Sequence, residues 1–170
     1  KEENGMEYLI GIDLGTSGTK TVLFDRLGKV IASATVEYPL YQEKNGWAEQ
    51  DPLDWWHASC ETLQSVIGQS GVDPRDIKGL GISGQMHGLV MLDKQGQVLR
   101  RSILWCDQRT AKQCEEITQR VGKERLIQIT ANPALTGFTA SKILWVRENE
   151  PELYAQCAHI LLPKDLVWYK

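Results

Sequence analysis

The sequence predicts an α/β fold: a mixed sheet entered through antiparallel hairpins, with helices against its faces. Three observations carry this. Apolar runs at residues 8–13, 20–25 and 30–38 are joined by connections so short that the strands must be antiparallel neighbours. A helix with one apolar stripe follows from Pro52. A second strand–loop–strand segment then opens at Ile77, and helical patterning fills most of the remainder.

Taken in order, the first turn is Asp13-Leu14-Gly15-Thr16-Ser17-Gly18, and the second is Asp25-Arg26-Leu27-Gly28, with Gly28 supplying the positive φ. Residues 39–50 read as a polar loop. Asp51 is the expected N-cap of the long helix, Pro52 its first residue, and Asp54 an acid in its first turn. Leu53, Trp56, Cys60, Leu63 and Ile67 form the stripe expected to be buried, with Trp55 beside it, and Gly68 and Gly71 mark the end. Ile77–Ser83 and Leu89–Leu92 then read as strands around a Gly84–Gly88 loop, and Val98–Trp105 as a third strand. The segments Val22–Val30 and Val90–Val98 share Asp, a basic residue, Gly and Val at the same offsets. The two hairpins are therefore expected in one sheet, with their loops at one edge. Helices are expected over Thr110–Val121, Lys123–Ile129 and Ser141–Asn149, with a Pro/Gly loop at Asn132–Thr139. A last helix begins after Leu161-Leu162-Pro163-Lys164-Asp165. It meets Lys170 without a cap, as expected of a piece of a longer protein. Residues 1–7 read as a disordered leader, with Met6 a candidate start, and residues 8–170 as a truncated N-terminal domain.

The composition is that of an ordinary globular protein, 42% hydrophobic and 24% charged, with net charge −3. No basic stripe invites nucleic acid, and no apolar run is long enough for a bilayer span. No secretion signal opens the chain. Cys60, Cys106, Cys114 and Cys157 form no CxxC pair and match no zinc spacing, and His57-x-x-Cys60 lacks partners. Reduced thiols and a cytoplasmic protein are expected. Trp47, Trp56, Trp145 and Trp168 are expected as core or interface aromatics.

The Asp13–Gly18 turn carries the chemistry. Gly15 and Gly18 would let backbone N–H groups approach an anion. Thr16, Ser17 and Thr19 offer hydroxyl donors, and Lys20 offers charge. Asp13 would repel a phosphate directly, so its expected role is to hold Mg²⁺ through water. Gly79-Leu80-Gly81-Ile82-Ser83-Gly84 matches GxGxxG, but its glycines fall inside a strand and a strand follows, so a dinucleotide site is rejected. Gln85, Met86 and His87 occupy a glycine-flanked loop and offer the mixed donors and acceptors that suit sugar hydroxyls. Trp105-Cys106-Asp107-Gln108-Arg109 offers an aromatic face beside a carboxylate, an amide and a guanidinium, either a sugar-binding edge or a solvated edge strand.

These residues carry a resemblance. Gly11–Gly18 resembles the first phosphate motif of the sugar kinase, Hsp70 and actin superfamily. Gly84-Gln85-Met86-His87-Gly88 narrows the resemblance to the FGGY carbohydrate kinases, and within them to members acting on D-xylulose. Trp47–Pro52, Ile103–Trp105, Gly137–Ala140 and Leu161–Asp165 extend it over nearly the whole chain from Tyr8. Glycerol kinases carry Arg-Glu where this chain has Met86-His87, and Cys106 stands where Asn or Gln is common, so no amide is available there to hydrogen-bond.

The resemblance implies a ribonuclease H-like fold and ATP-dependent phosphorylation of D-xylulose to D-xylulose 5-phosphate, with ATP and Mg²⁺ as cofactors. It implies Asp13 at the metal, Gly15, Thr16, Ser17, Thr19 and Lys20 along the phosphates, and Met86 and His87 at the ketose, with Gln85, Trp105 and Asp107 near it. The family's catalytic base, an aspartate, and most of the adenine site would lie beyond Lys170. The alternatives are a kinase of another ketose such as ribulose, or a non-catalytic sugar-binding module of the same fold. Neither nucleic acid nor membrane is expected as a partner, and a homodimer stays open.

Overall fold

The computed structural model describes residues 7–170, so residues 1–6 of the expected leader lie outside the described residues. The chain forms two compact units, one of residues 7–39, 53–85 and 164–170, the other of residues 40–52 and 86–163.

The first unit is built on a four-stranded sheet. Strands β1 (Tyr8–Leu14), β2 (Gly18–Asp25) and β3 (Val30–Glu37) form the expected antiparallel meander. The helix α1 (Pro52–Ser70) and a 3₁₀ turn (Pro74–Asp76) then lead to β5 (Ile77–Gly84), which pairs parallel with β1, giving the order β3-β2-β1-β5. Tyr8, Ile10 and Ile12 alternate inward from β1 and meet Leu23, Ala32 and Val66, the last from α1. Each such large side chain contributes about 1.5–3 kcal/mol on burial. The period of two therefore sends Asp13 to the face opposite that core.

The stripe expected to be buried on α1 is displaced by about one position. Trp55, Ala58, Ser59, Thr62 and Val66 are buried, and Leu53 is exposed. Thr62 donates its hydroxyl hydrogen to the Ala58 carbonyl at 2.8 Å and lies 2.7 Å from the Thr21 hydroxyl, which ties α1 to β2. The larger Trp56, Cys60 and Leu63 instead line a hollow of about 200 Å³ with Ile12, Leu80, Val167 and Trp168. Val167 and Trp168 come from α6 (Pro163–Tyr169), where Trp168 is exposed rather than a core aromatic.

The second unit holds two short antiparallel pairs. β4 (Glu49–Gln50) pairs with β7 (Ser102–Ile103), and β6 (Val90–Leu92) with β8 (His159–Leu161). Helices α2 (Ala111–Val121), α3 (Lys123–Thr130), α4 (Thr139–Asn149) and α5 (Pro151–Gln156) lie between β7 and β8. Leu89, Met91, Ile103 and Val146 form its core.

Two expectations are corrected here. β5 and β6 do not form a hairpin in one sheet. β5 is taken by β1, and β6, fully buried, is completed by β8 from far along the chain, a pairing that leaves no local signature. The expected Val98–Trp105 strand shrinks to Ser102–Ile103. The repeated turn survives at atomic level. Asp25 Oδ1 accepts from the N–H of Leu27 and Lys29 at 2.8 and 3.0 Å. Asp93 Oδ1 accepts from Gln95 and Gln97, both at 2.8 Å, and Gly28 and Gly96 share a positive φ of 81° and 75°.

Candidate active site

In the first unit, the turn between β1 and β2 gathers the expected phosphate residues. Asp13 sits in register with Lys20 on β2 and Ser83 on β5, so the three share one sheet face. With Gly11 and Gly81 they line an open hollow of about 470 Å³. Asp13 and Lys20 are exposed. Among the described residues, no three His, Cys, Asp or Glu side chains converge as a metal cage. One exposed carboxylate still fits Mg²⁺, which keeps several waters and takes its remaining ligands from substrate phosphates.

The glycines act differently from the expectation. Gly15 spends its N–H on the carbonyl of Gly18 at 3.0 Å, closing the turn, so that N–H is not offered to an anion. A β-carbon on Gly18 would lie 2.7 Å from the carbonyl oxygen of Val36, so glycine there lets β3 approach β2. Thr19, expected on the phosphate path, is fully buried, and its hydroxyl donates to Tyr38 Oη at 3.4 Å. The reason is strand alternation: if Lys20 faces outward, Thr19 and Thr21 face α1. Thr16, half-buried, and Ser17, exposed, remain on the turn.

Gln85 also turns toward this hairpin. Its N–H donates to the carbonyl of Leu14 at 2.7 Å and its Nε2 to the carbonyl of Gly15 at 3.4 Å. Tyr38 Oη donates to the same Gly15 oxygen at 2.5 Å. Burial is the main cause that pushes the Tyr38 phenol up to about 12, with Thr19 acting against it and the Asp13 charge adding to it.

In the second unit, Met86 is exposed and His87 half-buried. His87 has a positive φ of 62°, unusual for a residue with a β-carbon. Its ring meets the Phe138 ring edge-on, centroids 4.7 Å apart, and its carbonyl accepts from Thr139 Oγ1 at 3.1 Å. Burial first, and then the charge of Lys142, hold the His87 imidazolium below its ordinary pKa, which favours the neutral ring with one donor and one acceptor. His87 and Phe138 open onto an apolar cavity of about 290 Å³ with Ile117, Leu126 and Leu135.

Trp105 presents an exposed face, and its carbonyl packs on Gly137, where a β-carbon would lie 3.1 Å away. Asp107, expected near the sugar, is fully buried. Its carboxylate accepts from the Ala48 N–H at 2.7 Å, from the Arg109 N–H at 2.9 Å, and from the Arg109 guanidinium at 2.8–3.0 Å. Arg109 also pairs with Glu49 at 2.7 Å and lies 3.6 Å over the Trp47 ring, which meets Trp145 edge-on. Asp107 and Arg109 are thus an internal ion-pair frame, while Trp105 and Gln108 stay exposed. Sequence reasoning missed Tyr38, Phe138 and Lys142 as parts of these sites. Val146, four residues on and on the same face of α4, was the one weak signal that Lys142 is buried.

The profile for the FGGY family of carbohydrate kinases, N-terminal domain, matches residues 8–170. A xylulose kinase of Bacillus subtilis (strain 168) is 51% identical over 165 residues, 97% of this chain and 33% of that protein. A xylulose kinase structure from Rhodospirillum rubrum superposes with a TM-score of 0.90 at 28% identity, covering 95% of this chain and 33% of that one. A gluconate kinase structure from Lactobacillus acidophilus gives 0.88 at 30% identity, covering 97% of this chain and 33% of that one. The chain spans about a third of the length of the curated relatives it matches.

Proposed function

Because this chain belongs to the FGGY family of carbohydrate kinases, we propose that the protein of which it forms the N-terminal part transfers the γ-phosphate of ATP to D-xylulose, giving D-xylulose 5-phosphate. The observation that carries the choice of sugar is the 51% identity, over 97% of this chain, to a protein described as a xylulose kinase. The pocket chemistry agrees. A neutral His87 beside the exposed Met86 can exchange hydrogen bonds with ketose hydroxyls, and the Trp105 face can cover a sugar ring.

In this reading Lys20 and the Thr16 and Ser17 hydroxyls meet the phosphates of ATP, and Asp13 holds Mg²⁺ through water. The metal, when bound, neutralises charge on the transferred phosphoryl group. In the same reading the catalytic base lies beyond residue 170, and most of the adenine site in a second domain. Free thiols and the absence, among the described residues, of a helix long and apolar enough to cross a membrane are compatible with a cytoplasmic kinase.

The test is steady-state phosphorylation by the full-length protein with D-xylulose, D-ribulose, gluconate and glycerol. The reading expects the highest kcat/KM for D-xylulose. A preference for ribulose or gluconate would replace the substrate, and sugar binding without turnover would leave a binding module.

A further inference from the structure

Lys142 is fully buried on α4, yet carries a charge that costs free energy to desolvate. Its Nζ donates to the carbonyls of Thr136 and Gly137 at 2.7 Å and of Phe138 at 3.1 Å. All three ammonium protons are thereby committed to three successive peptide units. The titratable groups that act on it are Asp107, Cys114 and Cys106, which favour its charge, and Arg109 and His87, which oppose it.

The segment so gathered touches the sugar-facing residues of the second unit. Thr136 Oγ1 donates to Gln108 Oε1 at 2.9 Å. Gly137 lies against the Trp105 carbonyl. Phe138 meets the His87 ring, and Thr139 holds the His87 carbonyl. A left-handed backbone at a residue with a β-carbon persists only where its surroundings hold it. Phe138 and Thr139 supply that hold on His87, and Lys142 fixes the turn that delivers them.

We propose that Lys142 is a positioning residue for the sugar pocket: its ammonium draws the carbonyls of residues 136–138 into one turn, and that turn fixes His87 toward the ketose. The inference rests on the reading that His87 meets the sugar. Burial holds Lys142 down to about 8, so its proton is lost in an accessible pH range. A neutral amine has two N–H donors for three carbonyls. Cys106 lies above its ordinary value through burial, and His87 below its own, so neither the Cys106 thiol nor the His87 ring accounts for a transition near 8.

The experiment uses the full-length protein in two arms. In the first, KM and kcat for D-xylulose are measured from pH 7 to 9 for the wild type and for Lys142→Met. The wild-type KM should rise through about pH 8 while kcat changes less. Lys142→Met should show a KM about tenfold higher with that pH step gone. In the second, amide exchange of residues 136–139, corrected for intrinsic rate, is followed over the same range in the wild type. Exchange should accelerate as Lys142 loses its proton. This arm needs no folded variant and no turnover. A flat wild-type KM together with flat exchange overturns the proposal, as does a Lys142→Met enzyme that folds and keeps the wild-type KM. If D-xylulose is not a substrate but exchange still loosens near pH 8, the substrate reading fails and the role of Lys142 in holding this turn stands.

Discussion

Tyr38 donates its phenol hydrogen to the carbonyl of Gly15 at 2.5 Å, joining the end of β3 to the turn between β1 and β2 that is proposed to meet phosphate. Gln85 Nε2 reaches the same oxygen at 3.4 Å. The turn is thus held from outside by two side chains as well as by its own Gly15–Gly18 bond.

Replacing Tyr38 with Phe should loosen that turn and cost about 1 kcal/mol of stability. In the full-length enzyme the KM for ATP should rise while the KM for the sugar holds. Denaturant melts and two-substrate kinetics on Y38F check both. A sugar KM that moves as much as that of ATP would show a general rather than local effect.

Tyr38 also makes a pH prediction. Its folded pKa of about 12 lies above the ordinary 10.0 because burial penalises the phenolate. The group's contribution to stability is therefore whole below pH 10 and is lost as pH rises toward 12. Stability of wild type and Y38F, compared at pH 9 and 11, should converge at the higher pH.

Asp13 is the next-to-last residue of β1, on the exposed sheet face. Asp13→Ala should leave the fold intact and lower kcat on the order of a hundredfold, since one organising group at the transferred charge is removed. Steady-state kinetics at varied Mg²⁺ would detect it. Unaltered turnover would end the metal role proposed for Asp13.

Arg109→Met should act on folding rather than on chemistry. It strands the fully buried Asp107 carboxylate and removes one partner of Glu49. Breaking such a buried pair costs about 3–5 kcal/mol. Thermal melts should show a large loss, greater than that of the exposed pair breaker Arg75→Met.

The 170-residue chain assayed alone should phosphorylate D-xylulose at least about a hundredfold more slowly than the full-length kinase, because the proposed base lies outside it. Comparable turnover by the two proteins would overturn that division of the machinery.

The local elements were legible in the sequence because their causes are local. Alternation set β1, β2 and β3, Gly28 closed one turn and Gly96 its repeat, and the Asp51-Pro52 start and Gly71 bounded α1, which runs on through Gly68. The exposed Asp13 and Lys20 followed from the same two-residue period, which also put Thr19 inside once the buried face was known.

Tertiary structure decided what depends on distant partners. β5 went to β1 and β6 to β8, although only a short loop separates them, because strand pairing is a long-range choice. Tyr38 and Gln85 reached Gly15 from other strands, and Asp107 turned inward because Arg109 and Ala48 were there to receive it. Lys142 was the least legible of all. Lysine favours solvent, and the three carbonyls that the fold brings around Nζ, with the Asp107 charge, offset its burial.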